Sequence, residues 1–580
     1  MSDDGPPTQT DNTATLSGLP RDIITHHLIP PFAEPAVLLL PESAPPAPQI
    51  TPSAAPLHAL AATSRHLRTL IAAEYSTYCQ HQYPSVYAHI RAQASASATP
   101  LAAIDWRSKI RQAETLCRRW AKLQMHISFA LTGDRTAWRN RNEATRGSPY
   151  APAIDIHDGL TGETLAVGQG TQLAVRNARG DWRTVTRERM VYGMDDYLKV
   201  HLLDADTVVA SRSRGVEVVT SGDDGKLRVS HTQELRPPGA WNATGGVTSS
   251  ALDAGSRSLA VTYSMGDDHK LQLFSIRSDD SNSDTTLSLT ATSAIPSKPW
   301  TSAFLSPTIV ATGHRAGLTL HTSTPSGVIH ASEIHQPSTS YYRHNLSVHS
   351  ITPLSAPFSP SLLATGWSDG AVRILDTRTP SYVATYTDAV CCEDVPVYSL
   401  LHTAPLANVL LASSSQHHKL MLHDLRYASH VENIFPVSAV MWEGMQSPQS
   451  QHDVGGASAK TEVESNGCVM FLDEVAARAV GMDGNARSYR RGRGRSSSSA
   501  IYSLAGTAGG SRVYAGVEDG VISMDLGSGE RDDAVRQARG GEFFAPVYYF
   551  RVGDGRPWWC GGGVEVAMGW RKHLNLDLYS

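Results

Sequence analysis

One short pattern recurs along most of this chain, and it constrains the fold more than any other feature. An apolar β-type run ends in small residues, a turn often spelled Asp-Gly follows, and a second alternating run completes the unit. The clearest copy is SLLATGWSDGAVRILDTR (Ser361–Arg378). Beside it stand EVVTSGDDGKLRVSHTQ (Glu217–Gln233) and RVYAGVEDGVISMDLGSG (Arg512–Gly529). Weaker copies occupy Glu163–Asn177, Leu259–Arg277, Thr308–Thr324 and Val409–Arg426. The spacing is roughly 45–55 residues, the period of four-stranded propeller blades. A single blade cannot bury both of its faces, whereas blades stacked around an axis cover one another and leave only short edges. The pairs Asp224–Gly225, Asp369–Gly370 and Asp519–Gly520 suit tight antiparallel turns, because Gly tolerates positive φ.

The last gap between copies is about twice the others. Its excess, residues 446–499, contains QSPQSQHDVGGASAK and RSYRRGRGRSSSS and reads as a low-complexity insertion in a blade loop. Closing the ring calls for a strand from one end beside a strand from the other. Ala545–Phe550 and Val564–Trp570 are the two candidates. The expected fold is therefore mainly β, a seven-bladed propeller over residues 150–580.

The front of the chain has a different grammar. Residues 1–17 are polar and read as disordered. Residues 18–91 read as a small helical module, interrupted by PESAPPAPQITPSAAP (residues 41–56), which cannot be helix interior. Leu57, Leu60, Ala61, Ser64, Leu67 and Ile71 share one helical face. AQASASATP (residues 92–100) reads as a linker, and a further helix is expected over 101–131. In that helix Trp106, Ile110, Ala113, Leu116, Trp120, Leu123 and Ile127 step by threes and fours, with Arg and Lys on the remaining surface.

Composition narrows the function classes. The 580 residues carry 50 Lys+Arg against 55 Asp+Glu, a net charge of -5, too even for whole-chain phosphate neutralisation. No apolar run approaches the ~20 residues that span a bilayer, and the opening MSDDGPP is unlike a signal peptide. The six cysteines are scattered without a CxxC pair, so neither a disulfide framework nor a zinc cluster is legible. A cytoplasmic or nuclear location is the expectation. No HExxH, GxxxxGK[ST] or dinucleotide fingerprint is present. The one string of GxSxG form, GWSDG at residues 366–370, belongs to the strand–turn–strand repeat and is no nucleophile elbow, and no catalytic residue, metal ligand or cofactor is assigned.

The repeats resemble those of the WD-repeat propeller family. In the best copy Thr365 and Asp369 match the family's Ser/Thr and turn-Asp positions, and His344, just ahead of Val348, matches its His. The resemblance implies a structural hydrogen-bond set for these three. The Trp-Asp signature itself is replaced by Leu375–Asp376, His423–Asp424 and Met524–Asp525. The front of the chain resembles an F-box: Leu19-Pro20-Arg21-Asp22-Ile23-Ile24 matches its opening, and Leu57–Ile71 its later helix. Asp105–Trp120 resembles the Trp-bounded linker helix of F-box/WD-repeat proteins, with Trp106 and Trp120 at its ends. The order F-box, linker helix, propeller is more specific than any one part.

That resemblance implies a substrate receptor of a Skp–cullin–F-box ubiquitin ligase, non-catalytic itself, acting in proteasomal degradation. Leu19, Pro20, Ile23, Ile24 and Leu28 would meet the Skp-type adaptor and, through it, a cullin. The propeller would hold a protein substrate, in many receptors a phosphorylated one. Arginines able to fork a phosphate include Arg212, Arg214, Arg315 and Arg343. Two rival readings stand beside this one: a propeller scaffold unconnected to ubiquitin transfer, and an RNA-associated propeller that uses the RGRGR tract.

Overall fold

The computed structural model describes residues 75–121 (apart from 82, 97 and 98), 126–132, most of 152–425, 467–471, most of 500–526, and two short strands, Arg551–Gly553 and Arg556–Trp558. The chain forms two compact units, Met1–Ala121 and Lys122–Ser580.

Among the described residues of the second unit, seven antiparallel four-stranded sheets form. In chain order they span 153–186, 197–234, 245–294, 299–335, 348–386, 397–471 and 501–525, here blades 1 to 7. The first strand of each blade touches the first strands of both neighbours, and that of blade 7 touches that of blade 1. The ring is closed, and the expected seven-bladed propeller is the observed fold.

The chemistry of the repeat explains the stacking. Val208 and Val209 are adjacent in one strand and so face opposite sides of the sheet, yet both are essentially inaccessible. Val208 packs with Leu173, Val175 and Tyr197 on the blade 1 side. Val209 packs with Leu259, Val261 and Phe274 of blade 3. Burying each such side chain contributes about 1.5–3 kcal/mol relative to leaving it exposed, which is why these strands are apolar on both faces.

The small residues that end the first run of the repeat have a packing reason. Gly168, Gly313, Gly366 and Gly516 each occupy the penultimate position of a second strand, in blades 1, 4, 5 and 7. A Cβ at Gly366 would lie 2.3 Å from Ser350 Oγ and 2.6 Å from Val397 Cγ1 of the next blade. At Gly313 it would lie 2.7 Å from Val348 Cγ1, and at Gly168 2.8 Å from Tyr197 Cβ. The absent side chain lets the inner strand of the following blade approach.

Polar side chains then stitch the inner strands together. The Leu202 amide donates to Asp155 at 2.7 Å, and Ser250 meets His201 at 2.9 Å. Ser249 meets Ser302 at 3.2 Å, and Ser350 donates to the Val397 carbonyl at 2.9 Å. The Leu504 amide donates to Ser399 at 3.0 Å, and Ser503 donates to the Pro152 carbonyl at 2.6 Å. With the backbone bridge Arg315–Ser347 between blades 4 and 5, every seam of the ring is crossed by a hydrogen-bonded pair.

Five expectations are corrected. The strand that completes blade 7 comes from ahead of blade 1: His126–Thr132 pairs antiparallel with Gly520–Asp525, His126 opposite Asp525 and Thr132 opposite Gly520. Ala545–Phe550 and Val564–Trp570 lie outside the described residues. The linker helix consequently stops at Ala121 rather than running to 131. HISFALT continues a helical stripe in sequence, but it gains a full ladder of hydrogen bonds by closing the ring, and pairing overrides the local period. The 446–499 segment is more than a loop, because Gly467–Phe471 is the fourth strand of blade 6, paired with Lys419–Asp424. The copy Glu217–Gln233 is one strand out of phase. It spans the third and fourth strands of blade 2, and the tight turn between the second and third is Arg212–Gly215. Finally, the helix Pro84–Ala96 takes in half of the expected linker at 92–100.

In the first unit, residues 75–81, Pro84–Ala96 and Trp106–Ala121 are helical. The last begins at Asp105, whose Oδ1 accepts the Ser108 amide at 3.2 Å as an N-cap does. Trp106, Ile110 and Ala113 of the predicted stripe, with Cys117 beside them, are buried against Tyr75, Tyr78, Cys79, Tyr83 and Ile90, and Leu116 is buried as well. The Trp106 ring stacks on Tyr87 with centroids 5.1 Å apart. Trp120 lies in the last turn of the helix.

Candidate protein-interaction face

In every blade the start of the first strand pairs with the end of the second: Tyr197 with Arg212, Pro299 with His314, Val348 with Trp367, Val397 with Ser414 and Ile501 with Val517. The mouths of the inner strands and the turns between second and third strands therefore share one face of the ring. In blade 5 the two are joined directly, the Ser368 amide donating to the Ser347 carbonyl at 2.9 Å.

The blade 5 turn is held rigidly. Thr365 donates to the Arg373 carbonyl at 2.9 Å and accepts from Trp367 Nε1 at 2.9 Å. Asp369 takes both guanidinium ends of Arg373, at 3.1 and 2.7 Å, and accepts the Ala371 amide at 3.1 Å. The guanidinium also lies 5.0 Å from the Trp367 ring centre. Gly370 takes the left-handed conformation (φ 78°) that the turn requires. Thr365 and Asp369 thus serve one turn from two directions, through Trp367 and Arg373; the third member of the expected set, His344, lies outside the described residues.

The arginines named from sequence fall on different blades. Arg212 is engaged within blade 2: it binds Glu217 at 2.7 Å and lies 5.8 Å from the Tyr197 ring centre, while Tyr197 donates to the same carboxylate at 3.3 Å. Arg214 is in the neighbouring turn, its carbonyl accepting the Leu235 amide at 3.0 Å. Arg315 is exposed in the corresponding turn of blade 4, with its carbonyl accepting from Ser297 Oγ at 2.7 Å. All three lie on the same face, and the structure does not gather them into one cluster. Arg343 lies outside the described residues, as do Leu19, Pro20, Ile23, Ile24 and Leu28.

Sequence reasoning missed the most continuous feature of this face. The second residue of the inner strand is Trp300 in blade 4, His349 in blade 5, Tyr398 in blade 6 and Tyr502 in blade 7. In each the ladder slips across that residue, as a β-bulge does. The rings form a chain from blade to blade: Trp300 to His349 at 5.4 Å, His349 to Tyr398 at 5.8 Å, and Tyr398 stacked on Tyr502 at 5.9 Å. Lys298 places its ammonium 4.5 Å from the Trp300 ring centre. Trp300 is 40% exposed. The equivalent positions of blades 1 to 3 are Ile154, Leu198 and Thr248, so the aromatic character is confined to one side of the mouth. A signal existed: Trp300, His349 and Tyr398 recur roughly 49 residues apart, each one residue after the start of a strand.

On the other side, the inner strands of blades 1 and 2 carry Asp155, Lys199 and His201. Burial pushes the Asp155 carboxyl up to about 6, against the stabilising amides of Leu202 and Ile156. Burial, with the Lys199 charge beside it, pushes the His201 imidazole down to about 4, against its bond to Ser250. At neutral pH His201 is therefore uncharged and serves the seam as a hydrogen-bonding group.

No family model matches this sequence, and no curated protein does. Among solved structures, the chain is similar to Chaetomium thermophilum Sqt1, in a crystal structure bound to the N-terminus of the ribosomal protein L10. The two are 13% identical with a TM-score of 0.38, over 62% of this chain and 80% of that one. A likeness this distant carries no argument about what the chain binds, and the propeller assignment rests on the strand pairing itself.

Proposed function

We propose that the chain is the substrate-recognition subunit of a Skp–cullin–F-box ubiquitin ligase. Its front module docks to the Skp-type adaptor, and its propeller holds the protein to be ubiquitinated. Ligase chemistry belongs to other subunits, and this chain contributes proximity. The observation that carries the reading is the order of parts along the chain. A match to the F-box opening at Leu19–Ile24 is followed by a helix with Trp106 in its core, and then at once by the strand that closes the ring. A rigid ring with short protected edges suits a receptor, because it presents a fixed face without offering sheet edges to chance partners.

The test is affinity purification of the full chain. A Skp-type adaptor and a cullin are expected to co-purify, and Leu19→Ala with Ile23→Ala is expected to lose both while leaving the propeller's melting transition in place. Absence of an adaptor, or its retention by the double variant, rejects the reading and leaves a propeller scaffold unconnected to ubiquitin transfer.

A further inference from the structure

The aromatic arc at the mouth of blades 4 to 7 spans seams that hydrogen-bonded pairs also cross. We propose that it is a docking strip for an extended, proline-bearing peptide segment with an acidic residue at the blade 4 end. This rests on the reading of the propeller as the substrate-binding half and names the chemistry of what it binds.

Three observations select that occupant. The first is spacing. Successive ring centres lie 5.4, 5.8 and 5.9 Å apart. A polyproline II segment advances about 3.1 Å per residue with three residues per turn, so residues three apart share a face about 9 Å from each other and reach alternate rings, Trp300 and Tyr398. Aromatic-lined grooves recognise such segments because the ligand is already extended and loses little entropy on binding. The second is which ring surfaces remain open. Tyr398 and Tyr502 stack on each other within 11° of parallel, and Lys298 covers a face of Trp300. One flat face of each of these three rings is thus taken, which leaves fewer faces on which successive nucleic-acid bases would stack. The edges and tilted clefts left between the rings, at 43° and 79°, fit proline rings. The third is charge. Lys298 and the exposed Arg315 stand at the blade 4 end, with the Arg315 carbonyl tied to Ser297. They favour a carboxylate there and disfavour a cationic segment.

The test uses the full chain without adaptor, so its outcome is separate from that of the adaptor purification. The probe is a fluorescein-labelled synthetic peptide with a six-residue Ala/Pro stretch and a glutamate at each end, followed by fluorescence anisotropy to millimolar protein. Saturable binding is expected. Trp300→Ala and Tyr398→Ala should each weaken it about tenfold, as loss of an aromatic anchor does, whereas Leu198→Ala in blade 2 should not. Lys298→Glu should weaken the glutamate peptide but not its glutamine counterpart. Tyr398→Phe, which keeps the ring, should bind as the parent does, and unchanged melting temperatures would show that the variants are folded. No saturation, equal binding by the ring-deleted variants, or equal binding of a peptide with glycine in place of proline overturns the proposal. Tighter binding of a labelled oligouridylate, lost in the same variants, overturns it in favour of nucleic acid.

Discussion

Substituting Glu163 tests how the ring is locked where its two ends meet. Glu163 belongs to blade 1, yet its carboxylate accepts from Tyr514 of blade 7, pairs with Arg176 of its own blade, and binds Arg512 of blade 7 at 3.0 Å. Arg512 continues the chain to Asp525 at 2.5 Å, on the strand that pairs with His126–Thr132. Tyr514 is fully buried, and burial holds its phenol above the ordinary value, so it remains a donor. Glu163→Gln keeps the size and removes the charge, leaving Arg176 and Arg512 facing each other. Removing one member of a buried charge pair costs about 3–5 kcal/mol. Glu163 is 13% exposed and Arg512 31%, so partial screening brings the expected loss to about 2–3 kcal/mol. With an unfolding entropy of about 2.1 cal/mol/K per residue over roughly 400 residues, that loss is a fall in Tm of about 2–4 °C. Calorimetry reads the shift, and amide exchange reads its place, with faster exchange expected first in His126–Thr132 and in the strands of blade 7. A double-mutant cycle with Arg512→Ala should show coupling of about 1 kcal/mol or more. A Tm change within error together with zero coupling would refute the argument that these charges fasten the seam.

Other outcomes follow from the same geometry. Ser128→Pro sets a residue of fixed φ and no N–H inside the closing strand, and limited proteolysis should then cut the variant between the helical unit and blade 1 much faster than the parent. Gly366→Ala must push apart Ser350 and Val397, at a cost of about 1–3 kcal/mol in denaturant unfolding; a neutral result would mean that the blades slide freely. Trp106→Ala should cost the helical unit about 3–5 kcal/mol, read by loss of helical circular dichroism on heating. Stability should also depend on pH. His201 and His321, both near 4 when folded and 6.5 when unfolded, contribute stability that is present above 6.5 and lost as pH falls toward 4. Asp155, raised to about 6, acts oppositely between about 4 and 6, so Asp155→Asn should steepen the acid-side loss and His201→Asn should flatten it.

The residues carry the architecture openly and the site only faintly. Alternation, Asp-Gly turns and the ATG endings of blades 4 and 5 state the blade hairpin, because each is a local demand of a strand covered on both faces, turning tightly and meeting a neighbour closely. The aromatic strip is far less visible. Trp300, His349 and Tyr398 are ordinary strand residues until rotation about an axis sets them side by side, and the insertion before Tyr502 hides the fourth member of the series.

Periodicity of about 2 and a fixed repeat length determine, from the sequence alone, that this chain builds stacked sheets of four strands. Only the tertiary structure decides which segments complete them. HISFALT has the period of the helix before it, and Gly467–Phe471 lies in polar surroundings, yet each becomes a fourth strand. The physical reason is that an edge strand gains its hydrogen bonds from a partner distant in sequence, here residues 520–525 for one and 419–424 for the other, and no local pattern records that partner.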